Sequence, residues 1–330
     1  MDVGSAFDEY QVEVNADPAQ LEEARRRRDL FKKAFGAEPD VKRTFPSGSL
    51  ARGTMLEPIH DVDFVVVYNA DDHRDWGSPG SSAGDALGYV SGRVNTLLGA
   101  TNGTVAKEVR LASPRNHAVK CFLDDPAVDD AFTVDVMPAL QQEDGPLLIP
   151  EISSADWIPA DPEDLIDRIA ARHARWNRFV PVVRQLKYWN REVAKAGMKS
   201  LVVEVLAHDC IPDIYESDLG EQRPDALSRF FTAAALAVEQ PVCDPAGLCG
   251  EIQPDLDVDL TKRKLQEAAD GAYLALAAER RGDVNAAICQ WRKVFGSQFP
   301  EPPGGCSKSS GVKPAVAVAP RLIRDTPQGR

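Results

Sequence analysis

Asp61 and Asp63 stand one residue apart in Asp-Val-Asp, and Asp135 interrupts the apolar run Ala131-Phe132-Thr133-Val134-Asp135-Val136-Met137-Pro138. Side chains alternate along a strand, so Asp61 and Asp63 point the same way while Val62 and Phe64 pack opposite. Two carboxylates side by side repel unless a cation lies between them, and hard oxygen donors near a phosphate favour Mg²⁺. An Asp buried alone between Val134 and Val136 is costly, and a metal cluster short of oxygen ligands removes that cost, so Asp135 is the expected third carboxylate. Upstream, Gly48 permits a sharp turn close to a ligand, and Ser49 stands at the start of a predicted helix whose free N–H groups attract anions. No Gly-Lys-Ser/Thr follows, so this is a phosphate cradle but not a Walker A loop. Asp-x-Asp and Gly-Ser each arise by chance in ordinary strands and turns. Spaced as a unit, with a third acid downstream, they point to metal-assisted phosphoryl chemistry.

The elements that must hold these groups follow from pattern. Residues 41–45 and 61–68 read as strands, the second with an apolar end suited to burial on both faces. Asp17-Pro18 caps a helix on which Arg25 to Arg28 fan out as a solvated face. Residues 69–82 read as a loop, 83–98 as a helix, and 105–111, 118–123 and 131–138 as strands. Residues 140–159, rich in Pro and acids, read as a loop. From Asp161-Pro162 the chain turns almost wholly helical, over 163–178, 180–196, 200–207, 224–238, 260–278 and 284–295, with Pro181 expected to break or kink the second stretch. The expected division is 1–158 as an α/β catalytic core and 159–300 as a helical domain completing the pocket. A tail, 301–330, is expected to be poorly ordered from Gly304 onward.

Composition bounds the partners. The chain has 330 residues, 43% hydrophobic and 27% charged, with a net charge of −13. That acidic balance disfavours a long nucleic-acid groove but leaves room for small anions carried with a divalent cation. The six cysteines show no disulfide-like ladder, and Cys243 and Cys249 lack matching histidines for zinc. Neither a signal peptide nor a run of membrane-spanning length is seen, so a reducing cytoplasm is expected.

The unit of Gly48-Ser49 with Asp61-Val62-Asp63 resembles the signature of the polymerase-beta-like nucleotidyltransferases. Leu186-Lys187-Tyr188-Trp189-Asn190, followed by the stretch from Lys199-Ser200 to Leu206, looks like the helical-domain pattern of oligoadenylate synthases and cyclic GMP-AMP synthase. The stretch from Ala287 to Pro300 is similar to that of their bacterial relatives, the CD-NTases of anti-phage (CBASS) signalling. The resemblance implies an α+β, bilobal molecule: a mixed sheet flanked by helices, a C-terminal helical domain and a central cleft. It further implies condensation of ribonucleoside triphosphates into a cyclic di- or trinucleotide with release of pyrophosphate. Asp61, Asp63 and Asp135 would hold two Mg²⁺ ions, with Mn²⁺ able to substitute. Gly48, Ser49, Lys187 and Ser200 would contact substrate; read without the resemblance, Lys187 is a solvated helix charge and Ser200 a helix cap. Accessory proteins and an effector reached through the product are the implied partners, with no nucleic-acid activator and no membrane. Transfer to an RNA end, a protein or a small molecule, and a catalytically silent nucleotide-binding module, are the alternatives. Asn177 is weighed as a base reader against an ordinary surface amide.

Overall fold

The computed structural model describes residues 1–99, 108–142, 145–215 and 222–306. After α1 (Val3–Val14) and α2 (Pro18–Phe35) come β1 (Val41–Pro46), the short α3 (Gly48–Arg52), β2 (Asp61–Tyr68) and α4 (Ser82–Leu98). Then β3 (Leu111–Pro114), β4 (Val119–Phe122), β5 (Thr133–Gln141), β6 (Leu147–Glu151) and β7 (Asp156–Ala160) complete one mixed sheet. Its order is β1-β2-β5-β4-β3, with β6 on the far end of β5 and β7 beyond it. Among the described residues only β2 and β5 run parallel, and their register sets Asp63 beside Asp135 and Asp61 beside Thr133.

One face of this sheet, through Val62, Phe64, Val66, Tyr68, Val134 and Val136, packs on α2 and α4 around Phe31, Phe35, Leu87 and Val90. The opposite face carries Val65, Val67 and Ala139 against Leu147, Ile149 and Ala160. Strand alternation therefore sends Asp61, Asp63 and Asp135 to the face without α2 and α4. Asp17 caps α2 by accepting from the Ala19 and Gln20 N–H groups, as its sequence predicts.

The helices α5 (Asp164–Arg175), α6 (Phe179–Tyr188), α7 (Ser200–Cys210), α8 (Arg223–Ala237), α9 (Val258–Arg280) and α10 (Val284–Phe295) form the second lobe. α6 runs directly into a π-helical turn, Trp189–Ala194. Pro181 does not break α6: it sits in the first turn, where its missing N–H has no helical acceptor to lose.

Four expectations are corrected. Residues 140–159 are not a loop: β5 continues to Gln141 and β6 pairs with β7 across Ile149–Ile158 and Leu148–Pro159. The strand expected over 105–111 is instead Leu111–Pro114, with residues 105–107 outside the described residues. The division at 158 does not hold for α1, whose Val3, Phe7, Tyr10 and Val14 pack in the helical lobe with Trp291, Phe295 and Phe299. Finally, Cys289 and Cys306 form a disulfide, which ties the start of the expected tail to α10 and stands against free thiols throughout. Residues 307–330 lie outside the described residues. No described helix is long and apolar enough to cross a membrane.

Candidate active site

The turn before the carboxylates is built around one contact. Gly48 has φ +66°, and a Cβ placed on it would stand 1.7 Å from Asp63 Oδ2. Backbone and carboxylate approach this closely only because no side chain intervenes. Ser47 N–H donates to the Asp63 carbonyl at 3.0 Å, locking the turn onto β2, and Gly53, at φ +68°, ends α3.

Asp61 is exposed at the start of β2, Asp63 is half-buried, and Asp135 stands next to Asp63 on β5. Burial, with Asp61 and then Asp135 nearby, pushes the Asp63 carboxyl up from 3.8 to about 6. Burial also raises Asp135, and Asp61 adds to the rise, while Lys120 and Arg115 work against it. One Asp135 oxygen, Oδ1, is buried with no hydrogen-bond partner. As placed, the side chains share a face without converging on one point, since among the described residues no three His, Cys, Asp and Glu side chains form a metal-sized cluster. Like-charge repulsion favours that spreading. An orphaned carboxylate oxygen, an acid held up by burial and by its neighbours, and an all-oxygen donor set suit a hard divalent cation, so the residues present fit one.

A cavity of about 840 Å³ opens between the lobes, lined by Gly48, Ser49, Asp61 and Asp63 from one side and by Lys187, Asn190, Lys195 and Ser200 from the other. Ser200, the first residue of α7, is exposed there. Lys187 is not a solvated helix charge: only 5% exposed, its Nζ donates to Glu204 Oε1 at 2.8 Å and to the Thr54 carbonyl at 2.9 Å. Glu204, fully buried, also accepts from Thr54 Oγ1 at 2.7 Å and from Arg52 Nε. Arg52 and Lys187 hold the Glu204 carboxyl below its ordinary value despite burial, while burial lowers Lys187. One carboxylate between two cations leaves net positive charge under the cleft floor and fastens α3 to α6 and α7.

Pattern reading singled out neither Arg52 nor Glu204, and it missed Lys195, which lines the cleft at φ +48° just past the π-helical turn. Such turns recur at functional sites, the one local signal available. Asn177 is exposed and lines no cavity named here. Arg26 pairs with Glu23 on the exposed face, whereas Arg27 and Arg28 are half-buried, Arg27 lying over the Phe132 ring at 4.5 Å and pairing with Asp124 and Glu23, and Arg28 with Asp29.

Residues 1–172 match the model of the Second Messenger Oligonucleotide or Dinucleotide Synthetase domain. A cyclic AMP-AMP-AMP synthase of Escherichia coli (strain MS 115-1) is 26% identical over 326 residues, 87% of this chain and 92% of that protein. A probable cyclic nucleotide synthase of Bacillus cereus (strain VD146) is 24% identical, over 90% of this chain and 97% of its own. Among solved structures, E. coli MS115-1 CdnC with ATP superposes with a TM-score of 0.62 at 20% identity, covering 91% of this chain and 99% of that one. The same protein is solved in a CdnC:HORMA-deltaN complex, at a TM-score of 0.60 and 22% identity over 87% and 94% of the two chains.

Proposed function

The chain belongs to the second messenger oligonucleotide or dinucleotide synthetase family, and from that membership we propose that Asp61, Asp63 and Asp135 are its catalytic carboxylates. It is a nucleotidyltransferase of the class that makes cyclic oligonucleotides. The single observation that carries the residue assignment is the register of β2 and β5, which puts the acids on one sheet face beside Gly48. Asp61, Asp63 and Asp135 would hold two Mg²⁺ ions, which when bound would supply charge neutralisation for an in-line attack on an α-phosphorus. Mn²⁺ is the expected substitute.

The chain's own groups do the rest. Ser49 and the backbone at Gly48 grip the triphosphate from the sheet side, with Ser200 and Lys195 meeting it from the helical lobe. Lys187 acts from beneath, its charge shared with Glu204. The two lobes orient one nucleotide against the hydroxyl of another, so the barrier falls through positioning and electrostatics without a side-chain nucleophile. ATP is the first substrate to test, since the E. coli relative is a cyclic AMP-AMP-AMP synthase. A HORMA-type accessory protein, as in the CdnC complex, and an effector reached through the product are the partners to test.

Purified protein incubated with labelled ATP, GTP, CTP and UTP and Mg²⁺ should release pyrophosphate and give a phosphatase-resistant product whose mass identifies a cyclic oligonucleotide. The Asp61→Asn, Asp63→Asn protein should give none. Label that ends up on an RNA, protein or small-molecule acceptor would instead assign transfer without cyclisation.

A further inference from the structure

Beyond Phe295 the chain folds back along α10. Gly296, at φ +80°, makes the turn, and the Phe299 N–H donates to the Gly296 carbonyl at 3.2 Å. Arg292 gathers the returning strap: its Nη1 donates to the carbonyls of Ser297, at 2.6 Å, and Phe299, and its Nη2 pairs with Glu301 Oε1 at 3.1 Å. Three residues earlier on α10, the spacing of side chains on one helix face, Cys289 is joined to Cys306. Phe299 and Pro302 are buried, while Glu301, Pro303, Gly304 and Gly305 are exposed. Among the described residues, what holds 300–306 to α10 is therefore a buried proline, the Arg292–Glu301 pair and the sulfur bridge. The turn that starts the strap also touches the cleft wall. A Cβ on Gly296 would stand 3.1 Å from Val193 Cγ2, and Val193 belongs to the π-helical turn that leads into Lys195.

The remaining cysteines set this pair in context. Cys121 is buried, Cys210 is half-buried, and Cys243 and Cys249 are exposed, all four as free thiols. Exposed thiols persist where the surroundings are reducing. In such surroundings a disulfide is the exception, and one that forms is transient or redox-sensing. Cys289 and Cys306 are each half-buried, so a small reagent reaches them. Lys293, four residues on from Cys289, puts a cation on the same helix face, which favours the thiolate that performs exchange.

We propose that Cys289 and Cys306 are a reversible thiol–disulfide site, oxidised by a small-molecule disulfide such as oxidised glutathione, that locks the strap 297–306 onto α10 or releases it. One protein thiolate attacks a glutathione sulfur, forming a mixed disulfide and expelling one glutathione thiolate. The second protein thiolate attacks the protein sulfur of that bond and expels the other. The two cysteine protons end on the two glutathiones, and the two electrons given up by the cysteine sulfurs reduce the glutathione disulfide. Excess reduced glutathione runs the same steps backward. Oxidised, the strap keeps Phe299 seated against Phe7 and Tyr10 and holds the Gly296 turn on Val193. Reduced, its last residues let go of α10. The site lies outside the groups assigned to nucleotide joining, so it neither needs nor tests the proposed function.

The test equilibrates the full chain with graded ratios of reduced and oxidised glutathione, quenches with acid, and counts maleimide adducts on the unfolded protein by intact mass. Six adducts should fall to four as the ratio turns oxidising, since the chain has six cysteines and four of them stand free. Peptide mapping should find Cys289 joined to Cys306, a cross-link that the Cys306→Ser protein loses. Hydrogen exchange then reads the strap: the amides of 298–305 should exchange about tenfold or more faster in dithiothreitol than in oxidised glutathione, while those of β4 stay unchanged. The melting midpoint should drop by several degrees on reduction, and Cys306→Ser should melt at the lower value in either buffer. Six adducts at every ratio, four adducts that persist in excess reduced glutathione, a cross-link through another cysteine, or equal exchange of 298–305 in both states would each overturn the site. Both redox forms of wild type are read, so a variant that failed to fold would leave the test standing.

Discussion

Asp63 is crowded from two sides, since its Oδ2 fills the space a side chain at Gly48 would take while Asp61 and Asp135 load the same place with negative charge. Its carboxyl stands at about 6 against an ordinary 3.8. The sign follows from linkage: the folded chain holds this proton more tightly than the unfolded one, so the ion-free protein loses stability as pH rises from 3.8 through about 6. Relative to Asp63→Asn, wild type in chelator should therefore melt progressively lower across that window and level off above it. Mg²⁺ should bind more tightly as pH rises through the same range and close the gap. A melting difference that stays flat with pH would mean that Asp63 is not under this strain. The shared sheet face of these three acids was legible because strand alternation and an apolar surround fix where an aspartate points, whereas a metal-sized cluster of them is not formed among the described residues. Glu204 was not: its position in Ser200–Cys210 looks like any other, and its partners Arg52 and Thr54 are 152 and 150 residues away in sequence.

At the scale of elements, α3 is five residues long, too short to hold itself, and it is kept in place by Arg52 and Thr54 on Glu204 from below and Ser47 on Asp63 from behind. Glu204→Ala should therefore leave Arg52 and Lys187 buried without their anion and cost roughly 3–5 kcal/mol. Glu204→Gln, which can still accept from Thr54, should cost less, and the double change Glu204→Ala, Lys187→Met should recover part of the loss. Thermal melts of these three proteins and of Lys187→Met alone read this directly, and additive losses would show that the pair is not coupled. The helices of the second lobe matched their sequence patterns closely, with α10 at its expected bounds, whereas α1 over Val3–Val14 went unread. The β6–β7 hairpin escaped because its prolines, Pro150 and Pro159, usually mark loops. Among the described residues β7 pairs only with β6, which leaves it an edge where a proline takes nothing from the ladder.

Across the whole molecule, the sheet lobe is bracketed by two parts of the other core. Phe7 meets Trp291, Phe295 and Phe299 edge-on at centroid distances of 5.2, 6.0 and 5.0 Å, and Tyr10 packs on Phe295 and Phe299. Phe7→Ala should open a cavity there and cost about 3–5 kcal/mol, lowering the melting midpoint while the Asp61–Asp135 face stays intact; an unchanged melt would mean that α1 adds nothing to the helical lobe. The charge reading also belongs to this scale: a net −13 coexists with a cleft floor carrying Arg52, Lys187 and Lys195, so global balance hid a local cationic patch. Because α1 nests against α10, a ribosome delivers the first piece of that aromatic cluster long before the last. Until α10 emerges, Phe7 and Tyr10 lack the aromatic partners Trp291, Phe295 and Phe299 against which they pack.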